Sequence, residues 1–121
     1  MKFCWSTLNV TNLDNSIKFY EEIAGLSLIR RISAGPGTEI AFLGAGETQI
    51  ELICEGREKK IDIGEDISWG FEVESLEKAL ALVKESGIAV IGEPVQPNPK
   101  VRFFFVKDPD GMRIQLVENL G

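Results

Sequence analysis

Histidine is missing from the whole chain, which removes Ser-His-Asp and Cys-His catalysis and every metal site that depends on imidazole. Cysteine is scarce. Two thiols, Cys4 and Cys54, cannot build a four-thiolate zinc site, and neither has an imidazole to activate it. Long hydrophobic runs are absent too: MKFCWSTLNV is polar within six residues, and no apolar stretch approaches the ~20 residues that a membrane span requires. Basic residues are outnumbered, with 13 Lys and Arg against 19 Asp and Glu for a net charge of −6. Nucleic acid and anionic membrane surfaces are recognised mainly through clustered Lys and Arg, so neither is expected as a partner. No Ser/Gly linker or low-complexity tract marks a boundary within the 121 residues, a length suited to one domain with a core that needs no staples. The expectation is a soluble, cytoplasmic protein forming a single domain over residues 1–121.

What the chain does have is an internal repeat. Val10-x-x-Leu13-x-x-Ser16-Ile17 aligns with Val73-x-x-Leu76-x-x-Ala79-Leu80 at an offset of 63, and Ile50-Glu51-Leu52 aligns with Ile114-Gln115-Leu116 at an offset of 64. Each copy reads as strand, helix and three strands. In the first copy, Phe3–Val10 is a strand. A helix capped by Asn12 or Asp14 runs to Gly25, and Leu26–Ile32, Thr38–Leu43 and Thr48–Cys54 are β-rich runs between glycine turns. In the second, strand Ile67–Val73 precedes a helix from Ser75 to about Ser86 and a strand over Ile88–Ile91. An irregular stretch around Pro94, Pro97 and Pro99 leads into a hairpin of Val101–Lys107 and Met112–Glu118 across the turn Asp108–Gly111. The fold class is α+β, with module one over about 1–55, a charged connector over about 55–66 that includes Glu55-Gly-Arg-Glu-Lys-Lys60, and module two over about 67–121. Neither Gly35-Pro36-Gly37 nor Gly44-Ala45-Gly46 follows a strand and opens a helix, so neither is a phosphate loop.

The repeat, the element order and three segments together resemble the vicinal oxygen chelate superfamily of glyoxalases, bleomycin-resistance proteins and extradiol dioxygenases. The segments are Val10-x-x-Leu13-x-x-Ser16-Ile17-x-Phe19-Tyr20 with Gly25-Leu26, Ile50-Glu51-Leu52, and Phe105-Val-Lys-Asp-Pro-Asp-Gly111-x-x-Ile114-x-Leu116. The resemblance implies two βαβββ modules whose curved sheets enclose a cleft, helices on the outer face, and a homodimer. It also implies metal ligands at four repeat-related places, one on the first and one on the last strand of each module. Here those places hold Trp5, Ser68, Glu51 and Gln115. Glyoxalases carry His or Gln on the first strands and Glu on the last, so Glu51 alone keeps a charged ligand. An indole N–H only donates, Ser and Gln are weak neutral ligands, and divalent transition metals favour imidazole or several carboxylates. No metal and no other cofactor is therefore expected.

Strand alternation then sorts candidate site residues. Cys4, Ser6, Leu8 and Val10 share one face with Thr48, Ile50, Leu52 and Cys54, and that face belongs under the helix; Cys4 and Cys54 would lie near each other if the first and last strands pair. Trp69 and Phe71 have the same helix-facing parity. The opposite parity directs Trp5, Thr7, Glu51, Ser68, Arg113 and Gln115 into the cleft, joined by Arg102 and Phe104 in the hairpin register adopted, which a one-residue slip would exchange for Phe103 and Phe105. Trp5 offers a stacking surface and one donor, or simply fills volume. Glu51 orients a ligand, serves as a base, or pairs with Arg102 or Arg113. Arg102 and Arg113 are either anion contacts or ordinary surface arginines. The function expected is metal-independent binding of a small organic molecule. The alternatives are a metal-free lyase or isomerase with Glu51 as its catalytic base, and an interaction protein with no small ligand.

Overall fold

Both helices begin where an extended polar residue closes the first turn. Asn12 (φ −142°, ψ 108°) accepts the Asn15 N–H on its side-chain oxygen at 3.0 Å, and α1 runs over Leu13–Glu22. Ser75 repeats the arrangement 63 residues on, its hydroxyl accepting the Lys78 N–H at 3.2 Å ahead of α2, Leu76–Glu85. Such caps satisfy donors that the first turn leaves unpaired. The exits also repeat. Gly25 and Gly87 both take φ 73°, a conformation that costs little only for glycine, and the chain turns back there with Leu26 N–H bonded to the Tyr20 carbonyl and Ile88 N–H to that of Val83.

The computed structural model describes residues 1–56 and 60–121, so Arg57, Glu58 and Lys59 of the expected connector lie outside the described residues. The chain divides into two compact units, Met1–Ile63 and Gly64–Gly121. In the first, β1 (Trp5–Asn9), β2 (Leu28–Ser33), β3 (Glu39–Leu43) and β4 (Gln49–Cys54) form a sheet of order β1-β4-β3-β2, with β1 parallel to β4 and the other pairs antiparallel. In the second, β5 (Ser68–Glu72), β6 (Ile91–Asn98), β7 (Val101–Lys107) and β8 (Arg113–Asn119) repeat it in the order β5-β8-β7-β6. The architecture is α+β, two βαβββ modules.

Each unit builds its core between its own helix and one sheet face. Leu8, Ala41, Leu43, Ile50 and Leu52 are buried with Leu13, Ile17 and Tyr20 of α1. Phe104, Val106, Ile114 and Leu116 are buried with Leu76, Ala79 and Val83 of α2. Each large side chain contributes about 1.5–3 kcal/mol by leaving water. Among the described residues no helix is long and apolar enough to cross a membrane.

Two expectations need correction. The proline-rich stretch is a strand: β6 carries Pro94 and Pro97 at the edge of its sheet, pairing Ile91 with Phe105, Val95 with Phe103 and Asn98 with Val101 across two register shifts. Proline lacks a donor, but an edge strand has one side where no donor is required. The two cysteines are not neighbours. Parallel pairing of β1 with β4 puts residue 5 beside 49 and residue 9 beside 53, so Cys4 and Cys54 sit at opposite ends of the pair. Cys4 is exposed, and the Cys54 thiol faces the Thr11 carbonyl at 3.6 Å.

Candidate functional site

On the side of the first sheet away from α1, the register sets Thr7 beside Glu51, Glu51 beside Phe42, and Phe42 beside Arg30, one row across all four strands. The Thr7 hydroxyl donates to Glu51 Oε1 at 2.6 Å, fixing the carboxylate toward β1. Trp5, two pairs away in the β1/β4 ladder and so on the same face, meets the Phe42 ring edge-on, with centroids 5.4 Å apart and planes at 67°. The Arg30 guanidinium carbon lies 4.2 Å from the centre of the same ring. Phe42 is thereby reduced to 3% exposure although no helix covers it, while Trp5 keeps 43%. The result is an open face with an accessible indole, a tethered carboxylate and a stacked guanidinium.

The second sheet repeats the plan with other residues. Ser68 stands beside Arg113, Gly70 beside Gln115, and Gln115 opposite Phe105. The Arg113 guanidinium carbon is 5.0 Å from the Phe105 ring centre, and Phe103 meets Phe105 edge-on at 5.8 Å. A Cβ on Gly70 would stand 3.2 Å from Gln115 Oε1, so the missing side chain leaves the room that the Gln115 amide uses. Ser68, Phe105 and Arg113, with Glu65, Asp66 and Ile67, line a depression of about 310 Å³.

The structure redirects two sequence-derived candidates. Phe104 pairs with Leu116 and is fully buried on the helix side. The hairpin register therefore gives the open face to Phe103 and Phe105, the slip that alternation alone leaves undecided. Arg102 shares the parity of Phe104. Its Nη2 donates to Glu77 of α2 at 2.7 Å and to Glu118 of β8 at 3.0 Å, and Glu118 also accepts the Leu76 N–H at 2.7 Å. Arg102 thus joins helix to sheet inside its own unit, and Glu51 has Thr7 as its partner instead. The hydrogen bond from Arg102 holds the Glu77 carboxyl below its ordinary range, and Glu77 and Glu118 hold Arg102 above its own.

Phe42 and Arg30 are site residues that the sequence reading misses. The available signal is the alternation of Ile40 and Phe42 in β3 opposite Glu51; Arg30 needs the β2/β3 register, which shifts between Leu28 and Arg30. A one-residue change here decides everything about an arginine. Arg31 faces the other way and bonds Asp14 and Glu39, each at 2.6 Å, and these carboxylates raise it above its ordinary value.

The four places that the resemblance assigns to metal ligands do not fit a divalent transition metal. Trp5 has no lone pair to offer, Ser68 and Gln115 are neutral, and Glu51 is the one carboxylate of the four.

The sequence profile of the Glyoxalase/Bleomycin resistance protein/Dioxygenase superfamily matches residues 3–116. A lactoylglutathione lyase of Neisseria meningitidis is 31% identical over 126 residues, spanning 98% of this chain and 91% of that protein. One of Haemophilus influenzae is 35% identical over 130 residues, spanning 98% and 93%. The crystal structure of a glyoxalase family protein from Bacillus cereus superposes with a TM-score of 0.87 at 25% identity, covering 100% of this chain and 95% of that one.

Proposed function

The chain belongs to the Glyoxalase/Bleomycin resistance protein/Dioxygenase superfamily, and from that membership we propose that it binds a small organic molecule on the open face around Trp5, Phe42 and Glu51 without a metal cofactor. The observation carrying this reading is an exposed indole braced edge-on against Phe42 where a metal-dependent relative would need a donor atom. A planar ligand gains contact area from the indole, while Glu51, held by Thr7, supplies orientation. The second sheet carries Ser68, Arg113 and Gln115 as the polar groups at the corresponding places of its own open face. The same reading makes the protein a homodimer and requires neither nucleic acid nor a membrane.

A second reading has support in the relatives called lactoylglutathione lyase over nearly the whole chain: a metal-free lyase or isomerase in which Glu51 moves the proton. One set of measurements separates the two. Hits from a thermal-shift screen of metabolites and antibiotics are titrated against wild type, Trp5→Ala and Glu51→Gln, and turnover is followed on the hemithioacetal of methylglyoxal. Aromatic contacts contribute about 0.5–1.5 kcal/mol beyond burial, so Trp5→Ala is expected to weaken binding several-fold. A binder keeps its affinity for a neutral ligand in Glu51→Gln; an enzyme using Glu51 as base loses about two to four orders of magnitude in turnover while still binding. Equal binding by wild type and Trp5→Ala would refute the site. Elemental analysis of protein prepared without chelator is expected to find no stoichiometric Ni, Zn, Fe or Mn, and near-stoichiometric metal would refute metal independence.

A further inference from the structure

Four arginines lie among the described residues, and the sheets sort them by face. Arg31 and Arg102, on the helix-facing sides, each bind two carboxylates. Arg30 and Arg113, on the open sides, each lie over a phenyl ring, and among the described residues neither pairs with a carboxylate. The Nε–H of Arg113 is buried with no acceptor among the described residues, as is that of Arg102. In a chain with 19 acidic residues and a net charge of −6, a guanidinium left without a carboxylate calls for a reason.

Inheritance from the repeat does not supply it. The phenyl rings are copies, since Phe42 and Phe105 are 63 residues apart, but the guanidinia are not: the offset of 63 carries Arg30 onto Glu93, and the offset of 64 carries Arg113 back onto Gln49. One comes from β2 and the other from β8. Each module has reached a stacked guanidinium by its own route, without an ion pair among the described residues, and Arg113 does so in the depression that Glu65 and Asp66 also line.

We propose that Arg30 and Arg113 are anion contacts, each on the open face of its own unit, for an organic acid carrying a carboxylate or phosphate beside a planar group. This rests on the open face being a ligand site and adds the charge class of what it takes. The guanidinium fork matches the two oxygens of a carboxylate or phosphate. Stacking on a ring holds it flat while its edge still donates. On the first sheet the acid sits at Arg30, away from the Glu51 carboxylate that would repel it, because Phe42 separates the two in the row.

The test titrates 2-naphthoate, 2-naphthyl phosphate and the neutral 2-naphthamide by calorimetry against wild type, Arg30→Gln, Arg113→Gln and Arg30→Lys. Both acids are expected to bind wild type about tenfold more tightly than the amide, and the tighter acid identifies the preferred headgroup. Arg30→Gln is expected to lose roughly three- to tenfold in acid affinity at the first-sheet contact and Arg113→Gln the same at the second-sheet contact, neither losing anything for the amide, with Arg30→Lys intermediate because it keeps the charge and loses the fork. Arg31→Gln, on the opposite face, should bind all three probes as wild type does. Acids and amide binding alike in wild type would overturn the acid reading and leave the ligand site standing. Gln variants weakening all three probes equally would overturn it too, by reducing the arginines to packing. Binding of no probe would overturn both.

Discussion

Asp108 is only 5% exposed, and its carboxylate accepts backbone N–H bonds from Asp110 at 2.9 Å and Met112 at 2.8 Å, closing the turn that joins β7 to β8. Gly111 takes φ 97° to complete it. Removing the acceptor strands the buried Met112 N–H, and an unsatisfied buried donor costs about 1–3 kcal/mol. Asp108→Ala is therefore expected to lower stability by that amount in urea denaturation, whereas Asp108→Asn, which keeps an acceptor oxygen, should recover much of it; an unchanged midpoint for Asp108→Ala would contradict this role. At the same scale, parity separates neighbours of the same type. Arg30 covers a phenyl on the open face while Arg31 binds carboxylates on the other. Phe104 is core while Phe103 and Phe105 line the open side.

Between elements, α2 is tied to its sheet by Arg102 reaching Glu77 and Glu118 and by Glu118 accepting the Leu76 N–H. The Arg102 hydrogen bond depresses the folded-state pKa of Glu77. The stability it contributes is therefore present above the ordinary glutamate range and is lost as pH falls through the lower, folded-state value. Glu77 is exposed, so the effect is small and screened by salt. The melting temperature of wild type is expected to fall more than that of Glu77→Gln as pH drops below the ordinary glutamate range, and the two curves should converge in acid; parallel curves would show that the pair contributes nothing. The Asn12 and Ser75 caps, the Gly25 and Gly87 exits and most strand positions are legible from sequence because each depends on the chemistry of one or two local residues. β6 is not. Its strand conformation is imposed by pairing with β7, which overrides the local discouragement from Pro94 and Pro97.

For the whole molecule, the expectation from family membership is a homodimer, and β2 is consistent with it: all six residues are exposed, Leu28, Ile29 and Ile32 among them, along an unpaired sheet edge. Light scattering at micromolar concentration is expected to give twice the 13.4 kDa of one chain, and a mass near 13.4 kDa would count against it. The sequence by itself determined the duplicated α+β architecture and the placing of Thr7 and Glu51 on the face away from the helix, since repetition and a period of two are properties of the chain alone. It also determined that Trp5, Ser68 and Gln115 make poor metal ligands, because donor chemistry belongs to the residue type. Only the tertiary structure decided that Phe104 and Arg102 turn inward and that Phe42 and Arg30 complete the row beside Glu51. Those outcomes depend on hairpin register, which is set by contacts between strands distant in sequence, and one residue of slip reverses every side chain on a strand.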